Sequence, residues 1–162
     1  MTPRVPFLVL SLLLSLSAAA QLPRNEVTLS GGWTELASIG GERSVGASYA
    51  RFWNPALAAK LGVIAADRFS DAHAMVQIHP LHARLLSPWA GVGAALVRIT
   101  NYPGRSDSKV TGIVGGGVDV RISPRLALGA EVHYSPYEVN PRDRFGYNVN
   151  PATFTLAARW RY

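Results

Sequence analysis

From residue 25 to the last residue, apolar and polar side chains alternate with a period of two over most of the chain. Successive side chains of a strand point to opposite faces, so this period predicts strands rather than helices. The pattern is clearest over the last stretch. Phe154, Leu156, Ala158, Trp160 and Tyr162 share one face, and Thr153, Thr155, Ala157, Arg159 and Arg161 share the other. Val27, Leu29, Gly31 and Trp33 oppose Thr28, Ser30 and Gly32, while Val45, Ala47 and Tyr49 oppose Ser44, Gly46 and Ser48. Leu57, Ala59, Leu61, Val63 and Ala65 oppose Ala58, Lys60, Gly62 and Ile64. Ala74, Val76 and Ile78 oppose His73, Met75, Gln77 and His79. Val118, Val120 and Ile122 oppose Asp119 and Arg121, and Leu126, Leu128, Ala130, Val132 and Tyr134 oppose Ala127, Gly129, Glu131 and His133.

Two stretches fit less cleanly. Between 89 and 100, Trp89, Val97 and Ile99 oppose Arg98, yet Val92 and Leu96 fall on the face of Arg98. Between 109 and 117 the chain is so rich in glycine that its register is weakly specified, and either stretch leaves room for a bulge. The expected total is eight strands. Short turns fall at Asn54-Pro55 and Ser123-Pro124, with a longer link from His79 to Pro88. The expected loops are 35–43, 66–72, 101–109 and 135–151, which carry Gly40-Gly41, Pro103-Gly104, Asn140-Pro141 and Asn150-Pro151.

The first twenty residues have a different character. Arg4 gives a short positive start, Phe7 to Leu16 is an almost unbroken apolar run, and Ala18-Ala19-Ala20 offers small residues for cleavage before Gln21. This is a secretory signal pattern, and the run is short against the roughly 20 residues a membrane helix needs. Residues 1–20 are read as signal peptide and 21–162 as one domain, 142 of the 162 residues. There is no cysteine, so no disulfide holds the exported domain and no lipid-anchored cysteine is available. The net charge of +6 falls to +5 without Arg4, the leader's one charged side chain. For an exported chain the fitting counter-charge is an anionic lipid headgroup rather than nucleic acid.

Eight such strands suit two arrangements. A soluble lipocalin-like barrel or sandwich turns its apolar face inward, whereas a membrane barrel turns it outward to lipid. Three details favour the membrane. The polar face is mostly Gly, Ala, Ser and Thr, with Glu26, Lys60, Asp119, Arg121, Glu131, Arg159 and Arg161 as its charges of both signs. A narrow barrel interior needs small side chains and paired ions, whereas a solvated face would be denser in charge. The aromatics fall at strand ends: Trp53, Trp89, Trp160 and Tyr162 at one rim, and Trp33, Tyr102 and Tyr134 at the other. Two such girdles mark the lipid–water interfaces. A last strand ordered to its end is also what closure onto the first strand requires.

The chain resembles the small outer-membrane β-barrel proteins of the OmpA/OmpX-like kind. The resemblance rests on the leader, on Asn25–Trp33, on Ser87–Ala94, on Gly115–Tyr134 and on the ending 154–162. It implies an eight-stranded antiparallel up-and-down transmembrane β-barrel in the outer membrane of a Gram-negative cell. It also implies insertion by the barrel assembly machinery through the C-terminal strand. It does not imply one activity. A structural or surface-interaction role is expected, with outer-membrane lipids as partners, no nucleic acid, no cofactor and a monomeric state.

Candidate chemistry is sparse. His133 and Ser135 match, in residue type, the His-x-Ser of lipid A 3-O-deacylase, an eight-stranded outer-membrane esterase in which the serine is nucleophile and the histidine its base. Pro136 follows where that family has Asn. The zone expected to hold the orienting acid has Tyr147 and Asn148, and Glu138 and Asp143 come too early. The register also puts His133 on the lumen face, so no catalysis is expected. His73, His79, His82 and His133 do not suggest a metal site, since His73 and His79 lie about 20 Å apart along one strand. A small pore is a further alternative, but an eight-stranded interior is filled by side chains. The candidate binding surface is the last loop, with Tyr137, Phe145 and Tyr147 among Arg142, Asp143 and Arg144.

Overall fold

A computed structural model of the chain describes residues 25–37, 40–81, 84–101, 105–137 and 150–162. The leader 1–20, His82, Tyr102, Pro103-Gly104, Glu138, Asn140-Pro141, Arg142, Asp143, Arg144, Phe145, Tyr147 and Asn148 lie outside the described residues.

Eight strands follow one another: β1 (Asn25–Leu36), β2 (Gly40–Asn54), β3 (Leu57–Ala66), β4 (Phe69–Ile78), β5 (Leu86–Asn101), β6 (Arg105–Arg121), β7 (Leu126–Tyr134) and β8 (Pro151–Arg161). Each pairs antiparallel with its neighbour in sequence, and the sheet closes into a barrel. Closure is made by β1 against β8, from Glu26 opposite Arg161 to Leu36 opposite Pro151. The ladder runs to the final residue. The Asn25 amide donates to the Tyr162 carbonyl at 3.0 Å, and the Tyr162 amide donates to the Asn25 carbonyl at 2.9 Å. Both strands carry polar residues at the inward positions and apolar ones outward, so closure keeps the two faces in phase.

The outer surface is apolar. Leu29, Val45, Leu61, Val92, Val110 and Leu156 are each 60–73% exposed. Exposed charged side chains sit toward the two ends: Arg51, Arg84 and Arg125 near the termini, and Glu35, Arg43, Asp67, Arg98, Asp107 and Lys109 at the opposite, loop end. The soluble alternative, with its apolar face turned inward, does not describe this barrel.

The loop-end connections are shorter than the sequence suggests. Much of 35–43, 66–72 and 101–109 is strand, and the intervening connections are 37–39, 67–68 and 102–104. Charged and small residues there extend the ladders past the apolar belt, as where Glu42 pairs opposite Thr34. β5 and β6 pair without a bulge. Their register is continuous from Leu86 opposite Val120 to Asn101 opposite Arg105. The irregularity falls instead in β2, between Phe52 and Asn54, just before the turn to β3.

β5 also has the opposite facing from the one its tryptophan suggests. Leu86, Ala90, Val92, Ala94, Leu96 and Arg98 point outward, while Trp89, Ala95, Val97 and Ile99 are buried inside. The interior is therefore layered. At the loop end Leu36, Ile64, Phe69, Val97, Ile99, Ile113 and Tyr137 form an apolar plug, with Met75 and Ala95 at its inner edge. Nearer the termini, Ala50, Phe52 and Ala58 form a smaller cluster. Between these lies a charged and aromatic layer.

Candidate functional site: a charged and aromatic layer in the lumen

Three acids and three bases meet inside the barrel, from β1, β3, β6, β7 and β8. Lys60 Nζ lies 3.1 Å from Glu131 Oε2. Arg159 donates from Nη2 to the same oxygen at 2.6 Å, from Nη1 to Asp119 Oδ1, and approaches Glu26 Oε1 through Nε at 3.4 Å. Arg161 Nε donates to Glu26 Oε2 at 2.7 Å, and its Nη2 to Asp119 Oδ2 at 3.2 Å. Thr155 Oγ1 adds a hydrogen bond to Glu131 Oε1 at 3.3 Å. None of the six charged side chains is more than 4% exposed. Their charges cancel, which is the condition for holding ions away from water.

Room for this network is made by glycine. A Cβ on Gly129 would run into Arg159 Nη1 and Asp119 Oδ1 and come within 2.8 Å of the Val118 carbonyl. Trp89 forms one wall. Lys60 Nζ stands 5.2 Å from its ring centroid and the Arg159 guanidinium 5.8 Å, within cation–π range. His79 stacks against the same ring at 6.1 Å, and Phe52 packs edge-on against His79 at 5.0 Å. His79 sits in the turn after β4, and its pKa is lowered to about 3. Burial is the largest cause, followed by repulsion from Arg161, Arg159 and Lys60, so its imidazole is neutral at physiological pH.

Above this layer, toward the loop end, His73 and His133 face each other with ring centroids 5.4 Å apart. Asp71 Oδ1 accepts from His73 Nδ1 at 2.7 Å. Among the described residues, no group of three His, Cys, Asp or Glu side chains is placed to hold a metal. In the plug itself, Tyr137 donates its hydroxyl to Asp107 Oδ2 at 2.6 Å, and Lys109 Nζ lies 5.9 Å from the Tyr137 ring. Burial, then the Asp107 carboxylate, raises the Tyr137 pKa.

Glu26, Lys60, Asp119, Glu131, Arg159 and Arg161 thus meet in one network, and Arg121 stands half-buried near the terminal mouth. Trp33, Trp53, Tyr134, Trp160 and Tyr162 lie on the outer surface, each 39–60% exposed. Trp89 does not belong with them. At 4% exposure it is a lumen residue, because the outward positions of β5 are taken by Val92 and Leu96. His133 and Ser135 are likewise buried in the interior, 3% and 2% exposed, and present nothing to a lipid outside. Sequence reasoning did not group Asp71, His73, Met75 and His79 with the network, although all share the inward row of β4 and its turn. The aliphatic even positions from Leu86 to Leu96 were the signal that Trp89 faces in.

No protein-family model matches the chain, and neither does any curated protein. Among solved structures, it resembles the N-terminal β-barrel domain of Pseudomonas aeruginosa OprF, with a TM-score of 0.65 and 13% identity over 86% of this chain and all of that domain. It resembles Neisserial surface protein A equally well, with a TM-score of 0.65 and 16% identity over 88% of this chain and all of that one. A transmembrane β-barrel designed de novo also matches, with a TM-score of 0.56 and 14% identity over 87% of this chain and 99% of the design. At these identities the likeness is one of fold: this is the small eight-stranded transmembrane β-barrel. The fold alone assigns no activity.

Proposed function

We propose that this protein is a resident of the outer membrane whose barrel serves as a structural or surface-interacting element, rather than as an esterase or an open pore. One observation carries the reading. The lumen is filled by a balanced ion network beneath an apolar plug, while the aliphatic side chains point outward, where only lipid can cover them. A serine and histidine buried inside are out of reach of an acyl substrate outside. In this reading the termini lie in the periplasm, β8 is the strand taken up by the assembly machinery, outer-membrane lipids are the immediate partners and the barrel works as a monomer. The outward loops offer the surface for any further partner, with Tyr137 anchoring the base of the longest.

The test combines folding and conductance. The protein refolded into detergent or lipid vesicles should migrate on a gel as a compact species that boiling converts to a slower one, and should show β-sheet circular dichroism. In planar bilayers it should give no steady conductance step. A stable step, or a monomer that stays in solution without detergent, would overturn the proposal.

A further inference from the structure

Charge is divided unevenly between the two ends of the barrel. In the lumen, Lys60, Arg159 and Arg161 cancel Glu26, Asp119 and Glu131. Among the described side chains, the exposed acids are Glu35, Asp67 and Asp107. All three lie at the loop end, interspersed with Arg43, Arg68, Arg98 and Lys109. The terminal end has Arg51, Arg84, Arg121 and Arg125 and, among the described residues, no acid outside the lumen network. Arg51, Arg84 and Arg125 are exposed there, and none of the three makes an ion pair within the described residues.

These arginines sit at the level of the lipid surface. Arg51 lies on the outward row of β2 between Tyr49 and Trp53, and aromatics at a barrel rim mark headgroup depth. Arg84 and Arg121 lie on adjoining segments, because the Arg121 amide donates to the Leu85 carbonyl at 2.8 Å. Arg125 is tied to the end of β8, where the Arg161 amide donates to its carbonyl at 2.8 Å. The Ser123 hydroxyl fixes this turn by accepting from the amides of Arg125 at 3.3 Å and Leu126 at 3.0 Å. Leu85 and Ile122, next in the chain to Arg84 and Arg121, are exposed. An arginine beside an exposed aliphatic side chain suits the boundary between acyl chains and headgroups, with its stem on apolar surface and its head at the phosphate. The guanidinium is a fixed fork that matches two phosphate oxygens.

We propose that Arg51, Arg84, Arg121 and Arg125 form a basic collar at the terminal end that gathers anionic phospholipid in the leaflet it faces. Each arginine takes a headgroup phosphate of its own, so the collar needs no single point of convergence. A lipid is the occupant because it supplies acyl chains to cover Leu85 and Ile122 together with a phosphate for the guanidinium, whereas a soluble acidic partner supplies only the charge. The loop end, with acids among its bases, has no such preference. The collar rests on the outer-membrane reading above and deepens it, naming the headgroup class and the end that binds it.

Tryptophan emission reads the two rims separately. Trp53 is two residues from Arg51, and Trp160 pairs opposite Leu126, the neighbour of Arg125. A Trp33→Phe variant reports the terminal rim through Trp53 and Trp160, and a Trp53→Phe/Trp160→Phe variant reports the loop rim through Trp33. The buried Trp89 stays in both. Each would be refolded into phosphatidylcholine vesicles containing a small fraction of brominated phosphatidylglycerol, with brominated phosphatidylcholine as calibration. Expected is a local phosphatidylglycerol fraction at the terminal rim on the order of fivefold above bulk, the effect of one basic residue at an anionic surface, and the bulk fraction at the loop rim. Added salt should lower the enrichment, and Arg51→Gln/Arg84→Gln/Arg125→Gln should abolish it. The heat-dependent gel shift verifies folding of each variant. A terminal rim at the bulk fraction, equal enrichment at both rims, or enrichment that survives the triple substitution would overturn the collar while leaving the membrane reading intact. Folded protein whose rim tryptophans are not quenched even by brominated phosphatidylcholine would overturn the membrane reading and the collar with it.

Discussion

Glu131→Gln is the most informative single change in the lumen. Glu131 Oε2 holds Lys60 at 3.1 Å and Arg159 at 2.6 Å, with all three side chains 2–4% exposed. At an effective dielectric of about 20, one unit-charge pair at 3.1 Å is attracted by about 5 kcal/mol. Desolvation offsets much of this in the intact protein, but the substitution leaves the bases buried while removing their acid. Breaking a buried pair in this way costs about 3–5 kcal/mol. Lys60 suffers most, because Glu131 is its one ion-pair partner among the described residues, whereas Arg159 retains Asp119 and Glu26. Adding Lys60→Met to Glu131→Gln should therefore recover a large part of the loss, on the order of 2 kcal/mol, the coupling that a double-mutant cycle isolates. The assay is urea unfolding in lipid vesicles, followed by tryptophan emission and by the gel shift. A Glu131→Gln cost below about 1 kcal/mol would mean that water screens these charges and would refute the dry, balanced lumen.

Other outcomes follow from the same geometry. Gly129→Ala should destabilise the barrel by about 1–3 kcal/mol in the same assay, because its Cβ would displace Arg159 and Asp119 and crowd the Val118 carbonyl. His79 is neutral when folded and protonates near pH 6.5 when unfolded, so its stabilisation is present above that pH and is lost as the pH falls toward 3. The wild type should therefore lose about 1.4 kcal/mol per pH unit, relative to His79→Gln, as urea midpoints are compared from pH 6 to pH 5. Tyr137→Phe removes the donor to Asp107 and should cost about 1.5–3 kcal/mol, read as faster proteolysis near residue 137 with little change in the gel shift.

Where the two faces of a strand differ in chemistry, the sequence was legible. In β7, Leu128, Val132 and Tyr134 are outward against Glu131 and His133 inward; in β8, Leu156 and Trp160 are outward against Thr155 and Arg159. These strands revealed both the barrel and the charges that meet inside it. β5 was harder because both of its faces are apolar, Val92 and Leu96 toward lipid and Val97 and Ile99 toward the plug, so a lone tryptophan swung the assignment. The plug itself was not visible. Leu36, Phe69 and Ile99 fall at strand ends that look like loop edges, and only closure of the barrel brings them together. The pairing of His73 with His133 was hidden for the same reason, since it joins β4 to β7 across the lumen.

The inside and outside of this barrel are told apart by which tryptophans touch lipid and which one does not. Four variants, each retaining one of Trp33, Trp53, Trp89 and Trp160, would be refolded into vesicles containing brominated phospholipid, and the quenching of each emission measured. The first, second and fourth of these residues should be strongly quenched, being 46%, 60% and 51% exposed on the outer surface, while Trp89, at 4%, should be nearly untouched. Quenching of Trp89 to the level of Trp160 would contradict the inward facing of β5 and the sealed lumen built around it.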